Sequence, residues 1–132
     1  MAQRLISSLL RLSGNRHDMR MEPAKLQLLR HAMQAYTWRL KALAANIANL
    51  DTPGYQRVSV SFEEALQQAR HQIPGLRQPE EVEPRMRMEN TPPVLEDELM
   101  ELADTQMRTQ LTTRALREHF DLMRTAITGR TG

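Results

Sequence analysis

The side chains best placed for specific chemistry lie in residues 44–55, Ala-Ala-Asn-Ile-Ala-Asn-Leu-Asp-Thr-Pro-Gly-Tyr. That chemistry is hydrogen bonding. Asn46 and Asn49 stand three residues apart, which puts their amides on neighbouring parts of one helix face. Pro53 has no N–H and pushes Thr52 out of the helical region, so a helix running through Leu50 must stop there. Pro53 and Gly54 suit the two central positions of a type II turn, one fixing φ and the other accepting φ > 0. A plain helix stop needs only one such residue. Two asparagines, Thr52, the Pro-Gly pair and Tyr55 together prescribe a particular turn.

Catalysis finds no comparable grouping. His17, His31, His71 and His119 are scattered, with no pair at the i, i+3 or i, i+4 spacing of a helical metal site. Ser7, Ser8, Ser59 and Ser61 lack the glycine-rich elbow of a nucleophilic serine. The five glycines are isolated, so there is no phosphate-cradling loop. With no Cys there is neither a disulfide framework nor a thiolate metal site. Tyr36 and Trp38 fall within the first long helix rather than interleaved with basic side chains along one face, as nucleic-acid stacking would need. The sequence points to no enzyme, no cofactor, no nucleic acid and no small-molecule substrate.

The elements that hold the turn follow from composition and spacing. At 132 residues, with 4% aromatics and few glycines, the chain amounts to one domain, and its wealth of Leu, Ala, Arg, Gln, Met and Glu favours helix. No run approaches the roughly 18 apolar residues of a membrane span. Arg4 and Arg11 bracket the apolar patch in residues 1–12, and no small-residue cleavage site follows, so a cleaved secretory signal is not expected. The net charge is only +2, yet residues 1–30 hold six basic side chains against two acids. A solvated mobile arm explains that bias, as would an acidic protein, a membrane surface or nucleic acid.

The expected fold class is all-α, with long N- and C-terminal helices packed as a coiled-coil hairpin around an irregular extended middle segment. Residues 1–21, interrupted by Ser13-Gly14-Asn15, form a mobile leader that becomes an extra helix on assembly. Residues 22–50 form the first long helix, opening at Glu22-Pro23. Residues 51–94 supply the turn, an extended arm and a flexible loop. Residues 95–132 hold the second helix, with Glu96, Asp97, Glu98 and Glu101 favoured near its start by the helix dipole and Gly129 as its cap.

In the first helix Leu26, Leu29, Met33, Tyr36, Leu40, Leu43, Ile47 and Leu50 alternate spacings of three and four, a heptad seam. Gln27, Arg30, Gln34, Arg39 and Lys41 suit its outer face. In the second helix Leu99, Leu102, Leu116, Phe120, Met123 and Ile127 share one heptad phase. Between them that phase falls on Gln106, Thr109 and Thr113 while apolar residues shift to Ala103, Met107 and Leu111. Either the helix changes partners there or a local stutter alters the supercoil.

The middle is less regular. Val58, Val60 and Phe62 alternate with Ser59 and Ser61 as an extended run, and Glu63-Glu64-Ala65 adds one or two helical turns. Five prolines between Ile73 and Pro93 mark a flexible loop. Two helices cannot cover each other's Leu and Met side chains completely, and so short a chain has a thin core. The sequence therefore implies helical partners, either identical copies or other proteins. Head-to-tail copies give an open helix unless the rotation closes.

Across residues 40–66 the order helix, Asn-Ile-Ala-Asn, Asp-Thr-Pro-Gly-Tyr, then Phe62 and Leu66 resembles the N-terminal signature of the bacterial flagellar axial proteins of rod and hook. Leu95 to Met100, Leu102-Ala103, Leu116, Phe120, Leu122 and Ala126-Ile127, with Asn90-Thr91 before them, resemble the terminal helix of a proximal rod member. Thr105 and Thr109 depart from the asparagine and tyrosine of that pattern, and Pro92-Pro93 replaces a valine-acid entry into the helix. The resemblance implies a structural subunit of the proximal rod of the flagellar basal body. Such a subunit is exported uncleaved through the flagellar type III apparatus and polymerises through its terminal helices into the axial drive shaft and the wall of the export channel. Implied partners are identical copies, FliE below, other axial rod subunits above, and the export gate and membrane ring nearby. It also implies that Asn46, Asn49, Thr52, Pro53, Gly54 and Tyr55 fix the helix end, with the asparagines bonding backbone or neighbouring helices and Tyr55 anchoring the arm. The competing reading is a cytoplasmic helical-hairpin adaptor or export chaperone, which has no need of so specific a turn.

Overall fold

A computed structural model describes residues 2–71 and 82–129; of residues 2–23 and Arg70 it describes the backbone alone. The elements in chain order are α1 (Ala2–Ala48), β1 (Val58–Ser61), α2 (Glu63–His71), β2 (Arg85–Met88) and α3 (Leu95–Thr128). The long helices α1 and α3 pack antiparallel, with Asn46 meeting Glu98, Arg39 meeting Glu101 and Met33 meeting Thr113. No helix among the described residues is long and apolar enough to cross a membrane.

α1 begins at Ala2, well before the Glu22-Pro23 start that the sequence suggests. Once a helix is nucleated, each further residue adds one hydrogen bond, so a weak stretch need not form a boundary. The side chains of the expected leader lie outside the described residues. α3 ends as its sequence indicates: Gly129 adopts φ 62° and its N–H donates to the Thr125 carbonyl at 2.9 Å.

The middle holds more order than its prolines imply. β1 and β2 form a two-stranded antiparallel sheet in the register Val58↔Met88, Ser59↔Arg87, Val60↔Met86 and Ser61↔Arg85. Residues 85–88 fall inside the stretch expected to be a flexible loop. Arg-Met-Arg-Met does alternate with the period of a strand, but it is short and hemmed by Pro84 and Pro92. The hydrophobic cluster lies between α1 and this segment: Ala32, Ala35, Tyr36 and Ala42 meet Val60, Phe62, Ala69 and Val82. The apolar side of α2, Ala65, Leu66 and Ala69, closes it.

The seam between the long helices differs from the one expected. On α1, Tyr36 and Leu43 are buried, while Leu26, Leu29, Met33, Leu40 and Ile47 are half-buried. On α3, Leu102, Leu116 and Met123 are half-buried, but Leu99, Phe120 and Ile127 face outward, the last of them 80% exposed. The positions that flank Leu102, Thr109, Leu116 and Met123 on the buried side are Glu98, Thr105, Thr112 and His119, a heptad step apart. The helix is turned so that Glu98 meets α1, where it is held by Asn46 and by Arg57, which precedes β1. Leu95, Leu99, Ala103, Met107 and Leu111 consequently form an exposed ridge at four-residue intervals.

Thr105 is fully buried and its hydroxyl has no hydrogen-bond partner. An orphaned buried hydroxyl costs about 1–3 kcal/mol. Thr105→Val, which keeps the shape, is expected to raise unfolding free energy by about 1 kcal/mol, read as a higher urea midpoint at unchanged m.

Candidate functional site

The turn after α1 is built from within. The Asn49 side chain donates to the Ala45 carbonyl at 2.8 Å and accepts from the Thr52 hydroxyl at 3.1 Å. The Tyr55 N–H donates to the Thr52 carbonyl at 3.2 Å, closing a four-residue turn whose third position, Gly54, has φ 74°. That angle is the one a type II turn demands, and a Cβ there would be strained by conformation alone, since open space surrounds it.

Asn46 ties this turn to three other elements. Its Nδ2 donates to the Val58 carbonyl and to Glu98 Oε2, both at 2.9 Å. Its Oδ1 accepts from the Val58 N–H at 2.9 Å and the Tyr55 hydroxyl at 3.2 Å. Both donors and both acceptor sites of the amide are used, and Asn46 is wholly buried. By bonding both polar groups of Val58, the amide does for the outer edge of β1 what a neighbouring strand would do. Arg39 continues that edge, donating to the Val60 carbonyl at 2.8 Å.

Around Asn46 runs a network of three arginines and five carboxylates. Arg57 pairs with Glu98, Glu101 and, at 3.2 Å, Glu89. Arg39 holds Glu63 through two hydrogen bonds of 2.8 and 2.6 Å and reaches Glu101 at 3.5 Å. Arg108 pairs with Asp104 at 2.6 Å and lies 3.7 Å from Glu63. Every described element contributes, directly or from a flanking residue. Burial pushes the Glu63 carboxyl up, but the Arg39 hydrogen bonds, a backbone hydrogen bond and the charges of Arg39 and Arg108 together outweigh it and hold the group below its ordinary value of 4.5. Glu89 is lowered by a hydrogen bond from Ser59, then by Arg57. Burial opposes the charge on Arg57, yet the bonds and charges of Glu98 and Glu101 raise its guanidinium above the usual value.

The structure thus brings Asn46, Asn49, Thr52, Pro53, Gly54 and Tyr55 into one joint. Phe62 sits apart from them in the hydrophobic cluster. Arg39, assigned by its spacing to the outer face, is buried, because β1 and Glu63 lie over that side of α1. Arg57, Glu63, Glu89, Glu98 and Glu101 carry the network without any sequence motif to mark them. The one available signal was the placement of Arg57 two residues after the turn. No group of three or more metal-ligating side chains occurs among the described residues in a geometry that could hold an ion. The joint braces the end of α1 against the turn, β1 and α3.

Residues 26–56, which contain the seam of α1 and the whole turn, match the flagella basal body rod protein family. Over 42 residues the chain is 40% identical to the flagellar basal body rod protein FlgB of Aeromonas hydrophila. That alignment takes in 32% of this chain and 32% of the relative's length.

Asn46→Ala leaves the polar groups of Val58 and the Tyr55 hydroxyl without partners and is expected to cost about 2–3 kcal/mol in urea unfolding. Glu63 and Glu89 have depressed folded values, so their stabilisation is present above their unfolded value and lost as pH falls through the folded one. Unfolding free energy should therefore decline below the ordinary value of 4.5. Glu63→Gln should flatten that decline while lowering stability at pH 7; an unchanged slope would rule out the Arg39–Glu63 pair as its source.

Proposed function

We propose that this chain, which matches the flagella basal body rod protein family over residues 26–56, is a structural subunit of the proximal rod. It polymerises through its terminal helices into the axial drive shaft and the wall of the export channel. The observation that carries this reading is the exposed apolar ridge of α3. Leu95, Leu99, Met107 and Leu111 are 41–61% exposed in the single chain although α1 lies alongside. A helix that buries Glu98, Thr105 and His119 and leaves Leu95, Leu99, Met107 and Leu111 exposed has an apolar face open to contacts elsewhere. Packing against neighbouring helices buries that ridge and supplies the stability a thin monomer core lacks.

A rod protein associates with other rod components in the basal body. More finely, identical copies and further axial subunits stack on the ridge, FliE lies below, and the export gate and membrane ring stand nearby. The chain reaches that place by flagellar type III export. The joint at Asn46 sets the angle at which the middle segment leaves the helical pair toward a neighbour. Nothing in this role calls for catalysis.

Quantitative mass spectrometry of purified hook–basal bodies tests the reading. A few copies of the chain per basal body, retained after acid or alkaline stripping of the outer rings, are the expected result. Absence from basal bodies, with the protein soluble in the cytoplasm, would overturn it in favour of an export chaperone.

A further inference from the structure

The two edges of the small sheet are treated differently. Adjacent positions of an antiparallel ladder alternate between bonding the partner strand and pointing away from it. The Glu89 N–H donates to the Arg57 carbonyl at 2.8 Å, so Arg57–Glu89, Ser59–Arg87 and Ser61–Arg85 face each other, and Val58, Val60, Met86 and Met88 direct their backbone groups outward. On β1 those outward groups are occupied: Asn46 takes both from Val58, and Arg39 takes the Val60 carbonyl. On β2 all four residues are exposed, and no hydrogen bond to the outward groups of Met86 and Met88 is found among the described residues.

The side chains of β2 carry a second signal. Met86 and Met88 lie on the same sheet face as Val60 and Val58, yet they are 56% and 69% exposed where Val60 is buried. Arg85 and Arg87 lie on the opposite face, and no ion pair of either is found among the described residues, although Arg87's charge reaches Glu89, which Arg57 holds. An unpaired edge bearing exposed apolar side chains is a template for strand addition.

We infer that the outer edge of β2 receives an extended segment of another protein in which apolar and acidic residues alternate. The segment's backbone bonds Met86 and Met88. Its apolar side chains extend the Val58–Val60 face over the two methionines, and its carboxylates meet Arg85 and Arg87. Charge selects this occupant over a second copy of the same strand. Antiparallel pairing of β2 with itself through the outward groups of Met86 and Met88 sets Arg85 opposite Arg87, or Arg87 opposite its own copy, and like charges directly opposite are destabilising.

The test uses the full chain, labelled with nitrogen-15, and amide exchange at Met86 and Met88. The probe is the peptide acetyl-Glu-Val-Glu-Val-Glu-Val-amide, with its Lys-Val counterpart and a block-sequence Glu-Glu-Glu-Val-Val-Val peptide as controls. The alternating acidic peptide is expected to slow exchange at both amides about tenfold, at saturation, while the controls leave it unchanged. Arg85→Glu with Arg87→Glu, at two exposed positions, should transfer the effect to the Lys-Val peptide. Equal slowing by the block peptide, or none by any peptide, overturns the inference. So does protection already present in dilute free protein, which would mean the chain closes its own edge. Protection that grows with protein concentration alone would assign the edge to a second copy instead.

Discussion

A carboxylate removed from water loses several kcal/mol of hydration that only paired charge and hydrogen bonds can replace. Glu98 is in that position, in the first turns of α3, where the helix dipole already favours it. Its two oxygens are met by Arg57 and by the Asn46 amide. Arg57 reaches Glu98 because the Pro53-Gly54 turn sends the chain back along α1, and Asn46 is presented because α1 continues to Ala48. The same amide fixes Val58 and so the height of β1 on the helix. The rotation of α3, the path of the turn and the seat of the sheet are therefore one arrangement, and loosening any of them exposes the others.

That arrangement explains the unusual division of surfaces. A helix pair that relied on its own leucines would bury Leu99 and Phe120. Here α3 is turned by Glu98, and Thr105 and His119 follow it inward on the heptad. The helix interface gains direction from polar contacts, while the hydrophobic cluster forms where α1 meets α2 and β1. Leu95, Leu99, Met107 and Leu111 of α3 are left outside, while Leu102, Leu116 and Met123 are half-buried.

Much of this was legible in the residues. The helix stop, the turn at Gly54 and the Gly129 cap rest on local rules in which Pro and Gly act within a few positions. The rotation of α3 was not legible, because Leu99–Phe120 and Glu98–His119 flank the same Leu102, Leu116 and Met123. Choosing between them needs the contact of Glu98 with Arg57, 41 positions away in sequence. Arg39 was misjudged for the same reason: an arginine on an amphipathic helix reads as solvated unless a distant carboxylate, here Glu63, is known to cover it. The strand at Arg85–Met88 depends on pairing with Val58–Ser61 across the proline-rich stretch.

The closure of the β1 edge has a mechanical meaning as well. Asn46 and Arg39 grip Val58 and Val60 from two points on α1 about 10 Å apart along the helix, taken at 1.5 Å per residue. A force that drags the strand along its own axis loads both grips together, in shear. A force that lifts it away from the helix can open them one after the other, like a zip. The joint is thus stiff along the axis of the long helices and yielding across it.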